Sequence, residues 1–528
     1  MTKNSGVNCQ HSSLYCDALP HPLDGGFKRP TSQKRLAAAT RSGRVTAKVQ
    51  TAVAQDAFND DETFPGPLVL PDDALAIDPE DPPQSLKSWL MTVDGQGHRV
   101  SHRRKTLYII PPPTMSDEVK ELMKDWALPK IPKGHKLPGI PQDISEPEVT
   151  ALKDYLAAFY HLMPVKILDP GFTWVPWSTT TSSSSSKAPK TGVIQRIGLQ
   201  TPHPNPEIVG VAHRPSPDGV ARQQLNLNDI IDAMIPRVPP DAHAVVMLTR
   251  EDLYEDEEDD FCCGRAYGGS RVAVVSSFRY RPALDGYADV DVDHGWPASH
   301  CKAYVDELCS SSPAVPPTKR RKGAAAADGS GNTPPTIHRD TSSSPLAAAV
   351  EAALPLMTPH TAQDHAGLWM SRVARTVSHE VGHCLTLGHC VYFACAMQGT
   401  ASVAEDNRQP PYLCPVCVEK LSRNLAPLLA RAGASDGRSV VDLQRTWMAG
   451  QYRALLAFCD GWPRVALFAG LGAWLRMRLA EVAPRGGNET DTDGEETTVT
   501  AAAQSDEVRK KTAEASSAQF AAWLRDQD

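Results

Sequence analysis

Cysteine is scarce in this chain, with 12 in 528 residues. That density, about 2%, excludes a small secreted scaffold held together by disulfides. Long apolar runs are missing too. The longest, Val465 to Leu475, has 11 residues between Arg464 and Arg476, about half of the roughly 20 that a membrane span needs. It reads instead as a buried or amphipathic helix. Met1 to Gly26 holds no apolar core of the kind a secretory signal carries. Positive charge is not in excess either: 54 basic against 62 acidic residues give −8, so nucleic acid is not the default partner. The expectation is an intracellular, cytoplasmic protein with neither membrane nor nucleic acid as partner. In a reducing compartment, clustered cysteines point to metal or redox chemistry.

Several stretches have too few large apolar residues to repay the entropy of ordering. Residues 1–62 read as disordered; Lys28 to Lys48 carries seven basic residues and no acidic one. Two low-complexity insertions are expected, at about 178–190 (Ser178 to Lys187 is STTTSSSSSK) and about 310–345. The second contains Lys319-Arg320-Arg321-Lys322, a candidate nuclear address. Residues 484–528 form an acidic, mostly disordered tail with one short helix near Asp506–Leu524. Between these lie a main domain over 63–430 and a helical extension over 431–483, packed on it.

Apolar periodicity places strands at Leu107–Ile110, Val165–Leu168, Ala242–Leu248 and Arg271–Tyr280. Helices are expected at Glu148–Leu162, Leu225–Ile235 and Leu368–Leu387. This alternation is an α/β or α+β sandwich pattern, not a bundle; the expectation taken from it is α+β.

The chemistry concentrates in Ser378-His379-Glu380-Val381-Gly382-His383-Cys384-Leu385-Thr386-Leu387-Gly388-His389-Cys390. Histidines four apart on a helix project from one face, and two neutral imidazoles so placed can share one Zn²⁺. Glu380, beside the first of them, is positioned to act as general base towards a water on the metal without being a ligand. Two histidines on an exposed helix are the bland alternative. His389, six residues after His383, supplies a third ligand at the extended spacing of metzincins and leaves a fourth position open, the catalytic pattern.

Cys390, Cys395, Cys414 and Cys417 form two close pairs separated by 18 residues, matching a closed structural zinc site. A redox CxxC with two bystander thiols is the alternative. Because Cys390 adjoins His389, a zinc held there would also fix the third catalytic ligand. Cys262-Cys263 read as buried or semi-exposed thiols and Cys384 as core packing, while His300-Cys301 with Cys309 has no matching partner spacing. The run Glu255 to Asp260 reads as a solvated acidic loop.

As it stands from His379 to Cys417, the pattern His-Glu-x2-His-x5-His-Cys-x4-Cys-x-Met-x16-Cys-x2-Cys resembles the archaemetzincin family of zinc metallopeptidases. Phe64 to Pro71, Pro82 to Trp89, Asp252 to Tyr254 and Ser276 to Tyr280 are similar to further family segments. The resemblance implies a metzincin-like fold on a mixed, twisted sheet, with an active-site helix and a Met-turn at Met397. It also implies two Zn²⁺ per chain, one catalytic and one structural. By the same resemblance the chain would hydrolyse peptide or protein substrates, with aminopeptidase-like activity, and would lay them along an edge strand. Arg271–Tyr280 is one candidate for that strand. A monomer is expected. The alternative is a zinc-stabilised binding or scaffold protein with little or no turnover.

One position departs from the pattern. Metzincins place glycine three residues after the second histidine, where the chain turns sharply; here it is Thr386. Either Thr386 adopts a costly positive φ, or Gly388 takes over the turn, or the turn avoids positive φ.

Overall fold

The apolar runs at 242–249 and 272–276 are buried at every residue, which requires cover on both faces of the sheet they form. The computed structural model describes residues 11, 13–16, 26–137, 139–141, 143–177, 195–202, 204–311, 344–429 and 438–482, all within the unit formed by residues 1–483. Both proposed insertions, the basic cluster 319–322 and the acidic tail with its helix lie outside the described residues, apart from the flanking positions given above.

Among the described residues, eleven strands form two sheets rather than the expected one. In chain order they are β1 (Thr106–Ile110), β2 (Thr114–Met115), β3 (Val165–Ile167), β4 (Thr173–Val175), β5 (Gln195–Gln200), β6 (Ile208–Arg214), β7 (Gln224–Asn226), β8 (Ala242–Thr249), β9 (Asp252–Tyr254), β10 (Gly264–Tyr267) and β11 (Val272–Ser276). The main sheet runs β10-β11-β8-β1-β3 and the second β2-β4-β5-β6-β7-β9. Main-sheet pairing is parallel except at one edge, where β10 runs antiparallel to β11.

Period-two alternation divides the side chains of the main sheet between two cores. Ala244, Val246, Leu248, Ala273 and Val275 join the core of the helix Ala362–Cys384. Val245, Met247, Val272 and Val274 join a second core with the helix Leu227–Met234 and residues of the second sheet. The strand expected at Arg271–Tyr280 is thus interior, and the edge is β10. The sequence hid β10 because it is only four residues long and half-exposed along its length.

The helix Ala362–Cys384 carries the sequence's metal motif; we call it the site helix. It opens on a capping box: Thr361 Oγ1 accepts from Asp364 N–H (3.1 Å), and Asp364 Oδ2 accepts from Thr361 N–H (3.0 Å). Buried ion pairs lock it to the rest of the fold, with Arg372 2.7 Å from Asp285 and Arg375 paired with Asp406.

Residues 26–62 correct the expectation of disorder. A helix spans Ser32–Ala38, and Phe27, Ala39, Val53 and Phe58 are buried. Basic composition misled here because the arginines serve the interior. Arg29 Nε donates to the Tyr392 carbonyl (2.9 Å), and the guanidinium groups of Arg29 and Arg35 lie 4.8 and 5.0 Å from the Phe393 ring. Helices over Val440–Asp460 and Ala466–Val482 form the C-terminal part. Trp474 stacks on Tyr412 at 4.4 Å and donates from Nε1 to the Thr63 carbonyl (3.2 Å). Among the described residues no helix is long and apolar enough to cross a membrane.

Candidate metal centres

His379 and His383 lie one turn apart near the end of the site helix, and the chain then reverses to bring back His389. The donor atoms of the three residues fall within 4.8 Å of one another. The second nitrogen of two of these rings is committed. His379 Nδ1 lies 2.8 Å from the Ala396 carbonyl and His383 Nδ1 2.7 Å from the Leu387 carbonyl. A carbonyl only accepts, so each Nδ1 bears the proton and each Nε2 presents a lone pair. Those two Nε2 atoms are 3.0 Å apart. Desolvation holds His379 well below, and His383 down to about 4 from, the usual histidine range. Two lone pairs facing each other at that distance, with a third imidazole beside them, fit a shared cation.

Cys390, Cys395, Cys414 and Cys417 are fully buried, and their sulfurs also lie within 4.8 Å of one another. Cys390 Sγ and Cys414 Sγ are 3.5 Å apart, too far for a disulfide at about 2.05 Å and suited to neighbouring ligands of one tetrahedral zinc. Backbone N–H groups of Met397 (3.5 Å) and Cys414 (3.3 Å) point at Cys395 Sγ. Burial raises the Cys395 and Cys414 thiols well above their usual range, whereas hydrogen bonds from its three partners pull the Cys390 thiol down. The donor set is one that a dication would convert to thiolates.

The two centres share backbone. Cys390 follows His389 directly, and its N–H donates to the Met397 carbonyl (2.7 Å). Ala396, next to Cys395, gives the carbonyl that fixes His379. The sulfur cluster therefore braces two of the three histidines. Met397, fully buried, sits against the site helix at Gly382, where an added Cβ would fall 2.4 Å from its Sδ. Gly399 leaves room for the His389 ring, since a Cβ there would lie 2.8 Å from His389 Nδ1.

Thr386 takes the positive φ, at +62°. Gly388 does not relieve it. The turn is a Schellman cap: Thr386 N–H donates to the His383 carbonyl (2.8 Å) and Leu387 N–H to the Gly382 carbonyl (3.0 Å). A left-handed β-branched residue costs about 1–3 kcal/mol, and the Thr386 hydroxyl recovers part of this through the Leu385 carbonyl (2.7 Å). We expect Thr386→Gly to raise stability by about 1 kcal/mol, read as a higher denaturation midpoint. A lower midpoint would show that the turn carries no strain.

Gln84 clamps this turn from the other end of the chain. Its Nε2 donates to the Thr386 carbonyl (2.9 Å), and its Oε1 accepts from Gly388 N–H (2.9 Å) and Lys420 Nζ (2.9 Å). Sequence spacing alone did not single out this role, because the contacts span some 300 positions.

The histidines and Glu380 line a cavity of about 580 Å³, bordered by Gly264 and Arg265 of β10. Glu380 is 7% exposed. Burial pushes its carboxyl up to about 8, against the opposing pull of Arg265 and Arg375. Gln398 also lines the cavity and is buried, and neither of its amide atoms has a hydrogen-bond partner. No motif singles out this polar group.

Residues 350–423 match the sequence profile described as Peptidase family M54. Archaemetzincin-2 of Homo sapiens is 26% identical over 278 residues, covering 53% of this chain and 54% of that protein. Over these residues the chain is similar to archaemetzincins. Archaemetzincin-1 of Homo sapiens is 29% identical over 217 residues, covering 40% of this chain and 33% of that protein. The crystal structure of archaemetzincin from Methanopyrus kandleri covers 61% of this chain and 97% of its own at 16% identity, with a TM-score of 0.27. The chain spans about half the length of the first curated relatives it matches. The profile match contains the three histidines, Glu380, Met397 and all four clustered cysteines.

Proposed function

We propose that the chain is a zinc-dependent metallopeptidase. One observation carries the reading: three imidazoles, two of them with carbonyl-fixed tautomers, converge beside a buried carboxylate in a cavity flanked by a sheet edge. His379, His383 and His389 would hold the catalytic Zn²⁺, and Cys390, Cys395, Cys414 and Cys417 a structural one. Bound at the histidines, zinc supplies a Lewis acid for the scissile carbonyl.

The remaining steps belong to the chain's own residues. A Glu380 carboxylate oxygen takes a proton from the attacking water and later delivers it to the departing amine. β10 is the terminal strand of its sheet, so an extended peptide can pair with its backbone beside Glu380. Met397 supports the helix from below. Aminopeptidase-like action on peptides belongs to the same proposal, and comparing free with blocked amino termini tests it.

A chelator strong enough to strip the histidine site should abolish peptide hydrolysis, and stoichiometric zinc should restore it. Hydrolysis that survives complete zinc removal would refute the reading. A zinc-replete, folded protein inert across a broad peptide library would favour the scaffold alternative.

A further inference from the structure

A third group of metal-type donors lies away from both centres, in the first residues the structure describes. His11, His294 and Cys301 bring an imidazole, a second imidazole and a thiol within 4.8 Å of one another. From sequence Cys301 looked ordinary, because its partners stand 290 and 7 positions away. The fold closes that gap. Leu14 and Cys301 form an antiparallel bridge, Lys302 N–H donates to the Ser13 carbonyl (2.8 Å), and Tyr15 N–H to the His300 carbonyl (2.8 Å).

The donors are set for a cation. Asp291 Oδ2 lies 2.8 Å from His294 Nδ1, so His294 turns Nε2 away from that carboxylate, the arrangement of a metal-binding histidine oriented by an acid. The His294 ring is further fixed by stacking on Tyr304 at 4.1 Å and 4°. His11 Nε2 is shielded from solvent and has no hydrogen-bond partner, and the His294 imidazole hydrogen-bonds both Asp291 and the Cys301 thiol. Leaving a shielded nitrogen unsatisfied is costly. Cys301 is fully buried and immediately precedes the helix Lys302–Ser311, whose N-terminus favours a thiolate. Ligand atoms of a tetrahedral zinc sit roughly 3.3–3.8 Å apart, so small side-chain adjustments bring all three to one ion.

We propose that His11, His294 and Cys301 form an additional Zn²⁺ site, which staples residues 11 and 13–16 to the turn Val292–His294 and the helix after it. The site stands independently of the peptidase reading. A thiolate with two imidazoles suits zinc and leaves the fourth position to water.

The test counts zinc per chain by native mass spectrometry on the full-length protein, after stripping and reloading with zinc alone. His11→Ala, at the periphery, and Cys301→Ser should each bind one ion fewer than wild type, whatever number the other centres hold. Zinc should also slow amide exchange over 13–16 in wild type and leave it unchanged in His11→Ala. Peptide hydrolysis by His11→Ala should match wild type, which separates this site from the catalytic one. Equal zinc counts in wild type and folded His11→Ala would overturn the proposal, even if Cys301→Ser failed to fold.

Discussion

Replacing Glu380 by Gln is expected to lower kcat/KM for peptide hydrolysis roughly 10²–10⁴-fold, the usual worth of a positioned proton carrier, while zinc per chain stays constant. Gln keeps the volume and the buried position, so the helix should not shift. It loses the ability to take a proton from water and return it to an amine. The three histidines meet without help from Glu380, which is why metal content should not fall with activity. Full activity in the variant would assign the proton to another group. Loss of zinc together with activity would mean that Glu380 acts on the metal site itself.

The second large effect should come from Cys414→Ala. Four buried sulfurs around one ion contribute folding free energy directly; at structural zinc sites binding is worth about 10 kcal/mol or more. Removing one donor would leave three buried thiols where the proposal puts a dication. Destabilisation of several kcal/mol is expected, a large part of the roughly 5–15 kcal/mol that keeps a domain folded. Any molecules that remain folded should also bind the histidine zinc more weakly, because Cys390 adjoins His389 and the Cys395–Ala396 segment fixes His379. Zinc affinity of the histidine site measured by competition with a chelator reads this coupling. A redox CxxC would instead predict a mild effect on both stability and metal.

Both candidate donor clusters were legible in the sequence because their residues are local: helical spacing placed His379 and His383, and short intervals grouped the cysteines. The buried parallel strands were legible for a similar reason, since unbroken apolar runs have few alternatives to a sheet interior. What escaped was set by distance or by weak pattern. The second sheet includes β5 and β6, which lie just beyond the serine-rich insertion, and strands such as β2 and β4 are two or three residues long. β10 is short and half-exposed. Gln84 acts on a turn 300 positions away, and Arg29 and Arg35 find their partners only when the chain returns at Tyr392 and Phe393. Thr386 shows the reverse case. The departure from glycine was visible at once, but only the structure shows that threonine accepts the left-handed turn and that Gln84 and the Thr386 hydroxyl help to hold it.

Anomalous diffraction at the zinc edge, on crystals of the full chain grown with zinc, tests the account most directly. It should place one ion about 2.0–2.1 Å from Nε2 of His379, His383 and His389, and another about 2.3 Å from the sulfurs of Cys390, Cys395, Cys414 and Cys417. Rings bound through Nδ1, an empty histidine cluster, or a Cys390–Cys414 disulfide in place of the second ion would contradict it.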